Sequence, residues 1–243
     1  MSRLLAKRNV WMPPLALLIG FSLFFMWLRT ASLSPKESRQ LNTANLITII
    51  GEHLLLTVLG AVLVVLIAVP AGIILTRGPL RRLAPAVLAL ANVGQAAPSI
   101  GLIVLIAMGI GFGMKTALIA IVAYAVLPVL SSTMVGLEGV DRNTVEAARG
   151  MGMSALAVLV KVELPLASPV VLAGLRTALV LLVGTATLAV FVNGGGLGVL
   201  IQTGMTLFLY KLLVAGALLV ALLALAVDWV GRMIELWARP KGI

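Results

Sequence analysis

The 243-residue sequence contains no cysteine, one histidine and eight acidic residues. Without cysteine there is neither a disulfide framework nor a thiolate metal site. His53 alone cannot build a multi-histidine metal centre. Charged residues make up 11% of the chain, apolar residues 61%, and the mean hydropathy is +1.17. A water-soluble fold of this length cannot hide that much apolar surface. The run Gly111-Phe-Gly-Met-Lys-Thr116 lacks the spacing that wraps backbone N–H groups around phosphates, and no lysine follows Gly194 to Gly198. With no nucleotide-binding motif, no cofactor motif and no nucleophile–base pair, the chain does not look like an enzyme. The net charge of +10 is no nucleic-acid footprint, because the basic residues lie scattered between apolar runs, as topology signals do.

What is present is a series of apolar stretches, which predict an all-α membrane protein, a polytopic bundle of six spans. The first runs from Val10 to Leu28, behind Arg3, Lys7 and Arg8. It is too long for a signal-peptide core and long enough to cross a bilayer, for which about 20 residues suffice. Pro13 and Pro14 suit its first turn. A polar loop follows from Arg29 to Asn45, so residues 1–45 form an N-terminal helix with an outer loop and residues 46–243 the core. Glu52 and His53 interrupt the next apolar run, which starts the second span near Leu54 and ends it at Thr76. The others cover Leu83–Met108, Thr116–Val135, Pro169–Val192 and Leu212–Val230.

Six spans bring both termini to one side. With that side cytosolic, Arg3, Lys7, Arg8, Arg77, Arg81, Arg82, Arg142, Arg149, Lys161, Arg232, Arg239 and Lys241 are inside, twelve of the 18 basic residues. Five are outside: Arg29, Lys36, Arg39, Lys115 and Lys211. This bias orients the N-terminus inward. Trp11, Trp27, Trp229 and Trp237 sit at predicted borders, as an aromatic belt at the lipid interface does.

Polar groups inside spans are costly and therefore candidates for function. Asn92, Gln95 and Ser99 recur at steps of three and four on one predicted helical face, with Pro98 loosening the backbone. They either line a passage or hydrogen-bond neighbouring helices. Thr185 and Thr187 are expected to bond their own backbone carbonyls. Small residues four apart, Ala68 with Gly72 and Ala217 with Ala221, suit helix packing. Arg176 either snorkels to the inner surface or pairs with an acid, a structural role, and Asp228 is interfacial. His53 beside Glu52 is read as a wet loop residue.

One island breaks the apolar pattern: Glu146-Ala-Ala-Arg-Gly-Met-Gly-Met-Ser-Ala-Leu-Ala-Val-Leu-Val-Lys-Val-Glu-Leu-Pro165. Asp141 can cap a short helix, Gly150 and Gly152 interrupt it, Ser154 can cap a second helix to Lys161, and Pro165 marks a new start. Helix, glycine turn and helix make a knob on which another protein can dock. The spacing resembles the EAA loop of permease subunits in ATP-binding-cassette (ABC) importers, with Glu146, Ala147, Ala148, Gly152, Leu164 and Pro165 matching and Val162 standing where the pattern has isoleucine. The resemblance implies a type I ABC importer permease fold in a bacterial cytoplasmic (inner) membrane. It implies a loop, residues 141–165, that docks a cytosolic ABC ATPase through those six residues, a second permease chain, identical or related, and an extracytoplasmic substrate-binding protein. The lipid bilayer is the remaining partner. The stretches beginning at Asn92, Ala125, Val145 and Gly184 are similar to permeases of the glycine betaine, carnitine and choline importers, over about His53 to Glu235. That implies a quaternary ammonium osmoprotectant as substrate. An importer permease for another small solute (an amino acid or a sulfonate) and an ATPase-independent channel or secondary transporter are the alternatives.

Overall fold

The computed structural model describes the backbone of residues 2–238 and the side chains of residues 11–238. The charges counted above at Arg239 and Lys241, and the side chains of Arg3, Lys7 and Arg8, lie outside these limits. Helices joined by short loops make up the described residues: α1 (Ser2–Thr30), α2 (Pro35–Gln40), α3 (Thr43–Leu75), α4 (Ala84–Ala96), α5 (Ser99–Ile110), α6 (Met114–Glu138), α7 (Arg142–Gly150), α8 (Ala155–Val158), α9 (Leu164–Ala186), α10 (Gly198–Thr206) and α11 (Tyr210–Ala238). A 3-10 turn, Gly78–Leu83, precedes α4; a π turn, Leu159–Glu163, joins α8 to α9; a second 3-10 turn, Thr187–Val192, follows α9. Five stretches are long and apolar enough to cross a membrane, and α4 with α5 supplies a sixth if that bent pair is one span.

The centre of the bundle is α6 against α9, with α3 laid across both. Lipid is as apolar as the side chains, so close backbone approach and van der Waals contact must hold helices together. At Gly174 a Cβ would stand 2.3 Å from Ser132 Oγ and 2.7 Å from the carbonyl oxygen of Pro128, so only glycine allows this crossing. Ala68 is buried and Gly72 faces Thr133, which makes that pair a packing contact between α3 and α6 as expected. Ala217 and Ala221 instead lie exposed on α11. A second cluster ties Phe24 of α1 to Leu46 and Ile49 of α3, Leu200 of α10 and Leu212 and Leu219 of α11.

Several expectations need correction. The third apolar segment is not one rod, because α4 and α5 meet at a bend of 101°. Pro98 has no N–H to continue α4, so the chain turns there and α5 restarts. Tyr124 of α6 donates its hydroxyl proton to the carbonyl of Ala97 and pins the elbow. The second span does not begin after His53; α3 runs unbroken from Thr43 to Leu75 through Glu52 and His53. Pro13 and Pro14 lie inside α1 rather than in its first turn. The loop before α3 contains α2, closed by a capping box in which Ser34 N–H donates to Glu37 Oε2 (2.8 Å) and Glu37 N–H donates to Ser34 Oγ (3.3 Å). These bonds to the ionised form hold the Glu37 carboxyl below the usual glutamate value. The glycine-rich loop after Val192 leads into α10, which the sequence pattern did not suggest.

Candidate functional site

The island from Asp141 to Pro165 folds as its caps dictate. Asp141 accepts from Asn143 N–H at 3.1 Å and starts α7; Ser154 Oγ accepts from Ala157 N–H at 3.3 Å and starts α8. The end of α7 is a Schellman motif: Gly152 N–H donates to Arg149 O at 2.9 Å and Met153 N–H to Ala148 O at 3.2 Å. Gly152 has φ +84, and an added Cβ would meet open space there. The demand for glycine is thus conformational rather than steric. The second half differs from the expected helix, break and span. The chain from Ala155 to Val192 is one continuous helical stretch. Pro165 cannot donate to an upstream carbonyl, and the π turn before it absorbs the misfit, with Leu164 N–H reaching back five residues to Leu159 O. The island is therefore joined to α9 by continuous helical backbone.

Glu146 and Ala147 are exposed, as are Arg149, Met151 and Gly152. Ala148 is buried and carries α7 on the bundle, Leu164 is half-buried and Pro165 is exposed. Met151 and Leu156 are 78% and 69% exposed, an apolar surface at the tip of an otherwise polar knob. On one side of α7 lies a polar cavity of about 500 Å³ containing Arg77, Arg81, Glu138, Arg142, Glu146 and Glu163. On the other lies a cavity of about 420 Å³ between Ala147, Met151, Met153 and Val162. Arg77, after the end of α3, forms an ion pair with the largely buried Glu163 of the π turn. Arg81 pairs with Glu138 at 3.0 Å in a wetter setting. Sequence reasoning singled out Glu146 but missed Arg77 and Glu163, the groups that fasten the island to the bundle.

The residues Asn92, Gln95, Pro98 and Ser99 gather at the α4–α5 elbow, but the shared helical face is not formed. Ser99 starts α5, across the 101° bend from Asn92 and Gln95. Asn92 Nδ2 donates to its own helix at Leu88 O, 2.8 Å, and its side chain is exposed; Gln95 and Ser99 are half-buried. Thr185 and Thr187 bond Leu181 O and Gly184 O at 2.8 and 2.7 Å, as expected of hydroxyls in a span.

His53, read as a wet loop residue, is completely buried. Thr187 N–H turns back to Gly184 and Thr185 at the close of α9, which frees the carbonyl of Val183. His53 Nε2 donates to that carbonyl at 3.0 Å, and Nδ1 accepts from Leu197 N–H at 3.3 Å. Next to it Glu52 Oε2 accepts from Gly196 N–H at 2.9 Å. Two polar residues in an apolar run thus anchor the distant glycine loop. Arg176 resolves in favour of an acid partner: its Nε donates to Asp228 Oδ1 at 2.5 Å and Nη2 to Oδ2 at 2.8 Å, joining α9 to α11.

Residues 68–240 match the family described as "Binding-protein-dependent transport system inner membrane component". The chain belongs to this family. As a member it is a multi-pass membrane component of a transporter. It is 38% identical over 204 residues to the glycine betaine/carnitine/choline transport system permease protein OpuCB of Bacillus subtilis (strain 168), covering 84% of this chain and 93% of that protein. The choline transport system permease protein OpuBB of the same organism is 37% identical over the same shares. The osmoprotectant import permease protein OsmW of Salmonella typhimurium (strain LT2) is 35% identical over 83% of this chain and 95% of its own length. A chain from an inward-facing crystal structure of the MetNI methionine ABC transporter superposes with a TM-score of 0.71, covering 86% of this chain and all of that one, at 22% identity. The fold is that of a type I ABC importer permease.

Proposed function

We propose that this chain forms half of the passage through which an ABC importer takes up a quaternary ammonium osmoprotectant, of the glycine betaine, carnitine or choline type. The names of its relatives support the substrate class. In this reading the protein lies in the bacterial inner membrane with its N-terminus and the Asp141–Pro165 island in the cytosol, the side favoured by the basic residues. A separate ATPase grips the island; a second permease completes the passage, and an extracytoplasmic binding protein delivers the solute.

The observation that carries the coupling mechanism is the unbroken helical path from Ala155 to Val192. Glu146, exposed on α7, pairs with a basic group of the ATPase, and Ala147 allows close approach of the partner surface. Ala148 and Gly152 hold the knob in shape, and Leu164-Pro165 marks its base. When two ATPases close, the islands move together and α9 carries that displacement into the membrane. The elbow of Asn92, Gln95, Pro98 and Ser99 contributes to the passage wall. A second substrate reading, another small solute such as an amino acid or a sulfonate, is favoured by one observation: Tyr124 spends its hydroxyl on Ala97, and no aromatic cage for a quaternary ammonium surrounds it among the described residues.

The test is reconstitution with the ATPase, binding protein and partner permease, followed by uptake of labelled glycine betaine, carnitine and choline. ATP-dependent uptake of at least one is expected. Gly152→Asp should insert normally, hydrolyse ATP and transport little. Wild-type uptake by that variant, or flux through this chain alone without ATP, contradicts the coupling role.

A further inference from the structure

The ion pair of Arg176 and Asp228 borders a cavity of about 460 Å³, within the size range of small-molecule sites. Glu235, Thr177, Val180 and Leu181 complete its wall. Arg176 lies eleven residues beyond Pro165, about 16 Å along the helix axis. Charges at such a position are costly, and they persist where they face protein or a water-filled space. The face of α9 that opens on this cavity supports the same placement. Ala173, Thr177 and Val180 line it and Gly184 continues the row one turn further, all exposed at helical spacing, and three of the four are small or polar. The outer face of α3 is different: Val58, Val62 and Leu66 are 56%, 50% and 64% exposed and purely aliphatic. That composition suits lipid, whereas the small and polar α9 face suits protein or a water-filled space.

We infer that this cavity is a way station in the translocation pathway that receives a zwitterionic quaternary ammonium solute, an inference that rests on the substrate class proposed above. The chemistry fits both ends of such a molecule. Arg176 uses Nε and Nη2 for Asp228, and its Nη1 stands outside that clamp. A guanidinium presents five N–H donors and binds carboxylates in parallel pairs, so the substrate carboxylate takes the Nη edge. The trimethylammonium end has no N–H to donate and needs only negative charge and apolar contact. Asp228 and Glu235 bring carboxylate oxygens to the cavity wall, and Val180 with Leu181 provides the methyl contacts. No aromatic residue is among those lining this cavity, so charge does here what a ring face does in an aromatic cage.

The experiment compares a substrate that has a carboxylate, glycine betaine, with one that lacks it, choline, in the assembled transporter, with membrane levels measured for every variant. Arg176→Gln should raise the half-saturating glycine betaine concentration about tenfold or more and change that for choline by about threefold at most. Asp228→Asn should impair both. The exchanged pair Arg176→Asp with Asp228→Arg should not restore glycine betaine uptake. Thr177→Phe, at an exposed position that tolerates bulk, should reach normal levels and block transport by filling the cavity. Equal loss of both substrates in Arg176→Gln with recovery in the exchanged pair would reduce the ion pair to a helix clip. Normal transport by Thr177→Phe would put the cavity outside the pathway. Wild-type uptake of none of glycine betaine, carnitine and choline overturns the substrate class first, and this inference with it.

Discussion

The two ends of the α3–α6–α9 core are fastened by opposite means. At the island end the ties are charges at the water boundary, Arg77 with Glu163 and Arg81 with Glu138. At the other end they are hydrogen bonds between backbone groups and the side chains of half-buried Glu52 and buried His53, with one backbone–backbone bond: Gly196 N–H to Glu52, Leu197 N–H to His53, His53 to Val183 O and Gly113 N–H to Val192 O. In both pairs the arginine keeps contact with solvent, which screens part of the loss when a pair opens, less so for the largely buried Glu163. The bonds around the buried His53 have no such screening, and each broken one leaves an unsatisfied group. In the coupling proposed above, this contrast makes α9 a lever with a fixed far end and an island end that moves.

The comparison is broken most severely at the fixed end. A Cβ at Gly198 would stand 1.9 Å from the carbonyl oxygen of Thr187, so Gly198→Val must displace backbone. A cost of about 3 kcal/mol or more is expected, read as loss of a monodisperse protein on extraction. His53→Ala should follow, at about 3 kcal/mol, since it orphans the carbonyl of Val183 and the N–H of Leu197 while all charges at the island end stay in place. A thermal-shift assay in detergent checks this, and a drop no larger than that of a surface variant would remove the distinction between the ends.

At the movable end the effects should be smaller on stability and larger on coupling. Glu163→Gln is expected to lose about 1 kcal/mol, discounted because Arg77 is partly solvated, while separating ATP hydrolysis from uptake. Arg81→Ala, at a more exposed pair, should cost below about 0.5 kcal/mol and leave transport near normal. The smallest effect concerns the capping box of α2. The folded-state value of Glu37 is depressed, so its contribution is present above the ordinary glutamate range and fades as pH falls through the depressed value. Glu37→Gln should abolish that acid-side dependence in a melting series.

The same contrast explains what the sequence disclosed. The island was legible because its signals are local: Asp141 and Ser154 cap helices that begin beside them, and Gly152 supplies the one left-handed residue of a cap that spans six positions. The apolar runs likewise predicted the long helices. His53 was not legible because its partners stand 130 and 144 residues away. In a list of residues it is a polar interruption; in the fold it closes α9 and holds a glycine loop. The elbow lay between these cases. Pro98 marked it, but a helical wheel drawn through Asn92, Gln95 and Ser99 assumes the straight helix that Pro98 prevents. For Arg176 the sequence left snorkelling and an acid partner open, and it offered Asp228 without showing that the two meet.

The most direct test of the lever uses the absence of native cysteine. A single cysteine introduced by Glu146→Cys, in cells expressing the whole transporter, should resist a membrane-impermeant thiol reagent added outside and cross-link to the ATPase in an ATP-dependent manner. Labelling of that cysteine from outside intact cells, without any cross-link to the ATPase, would contradict the account.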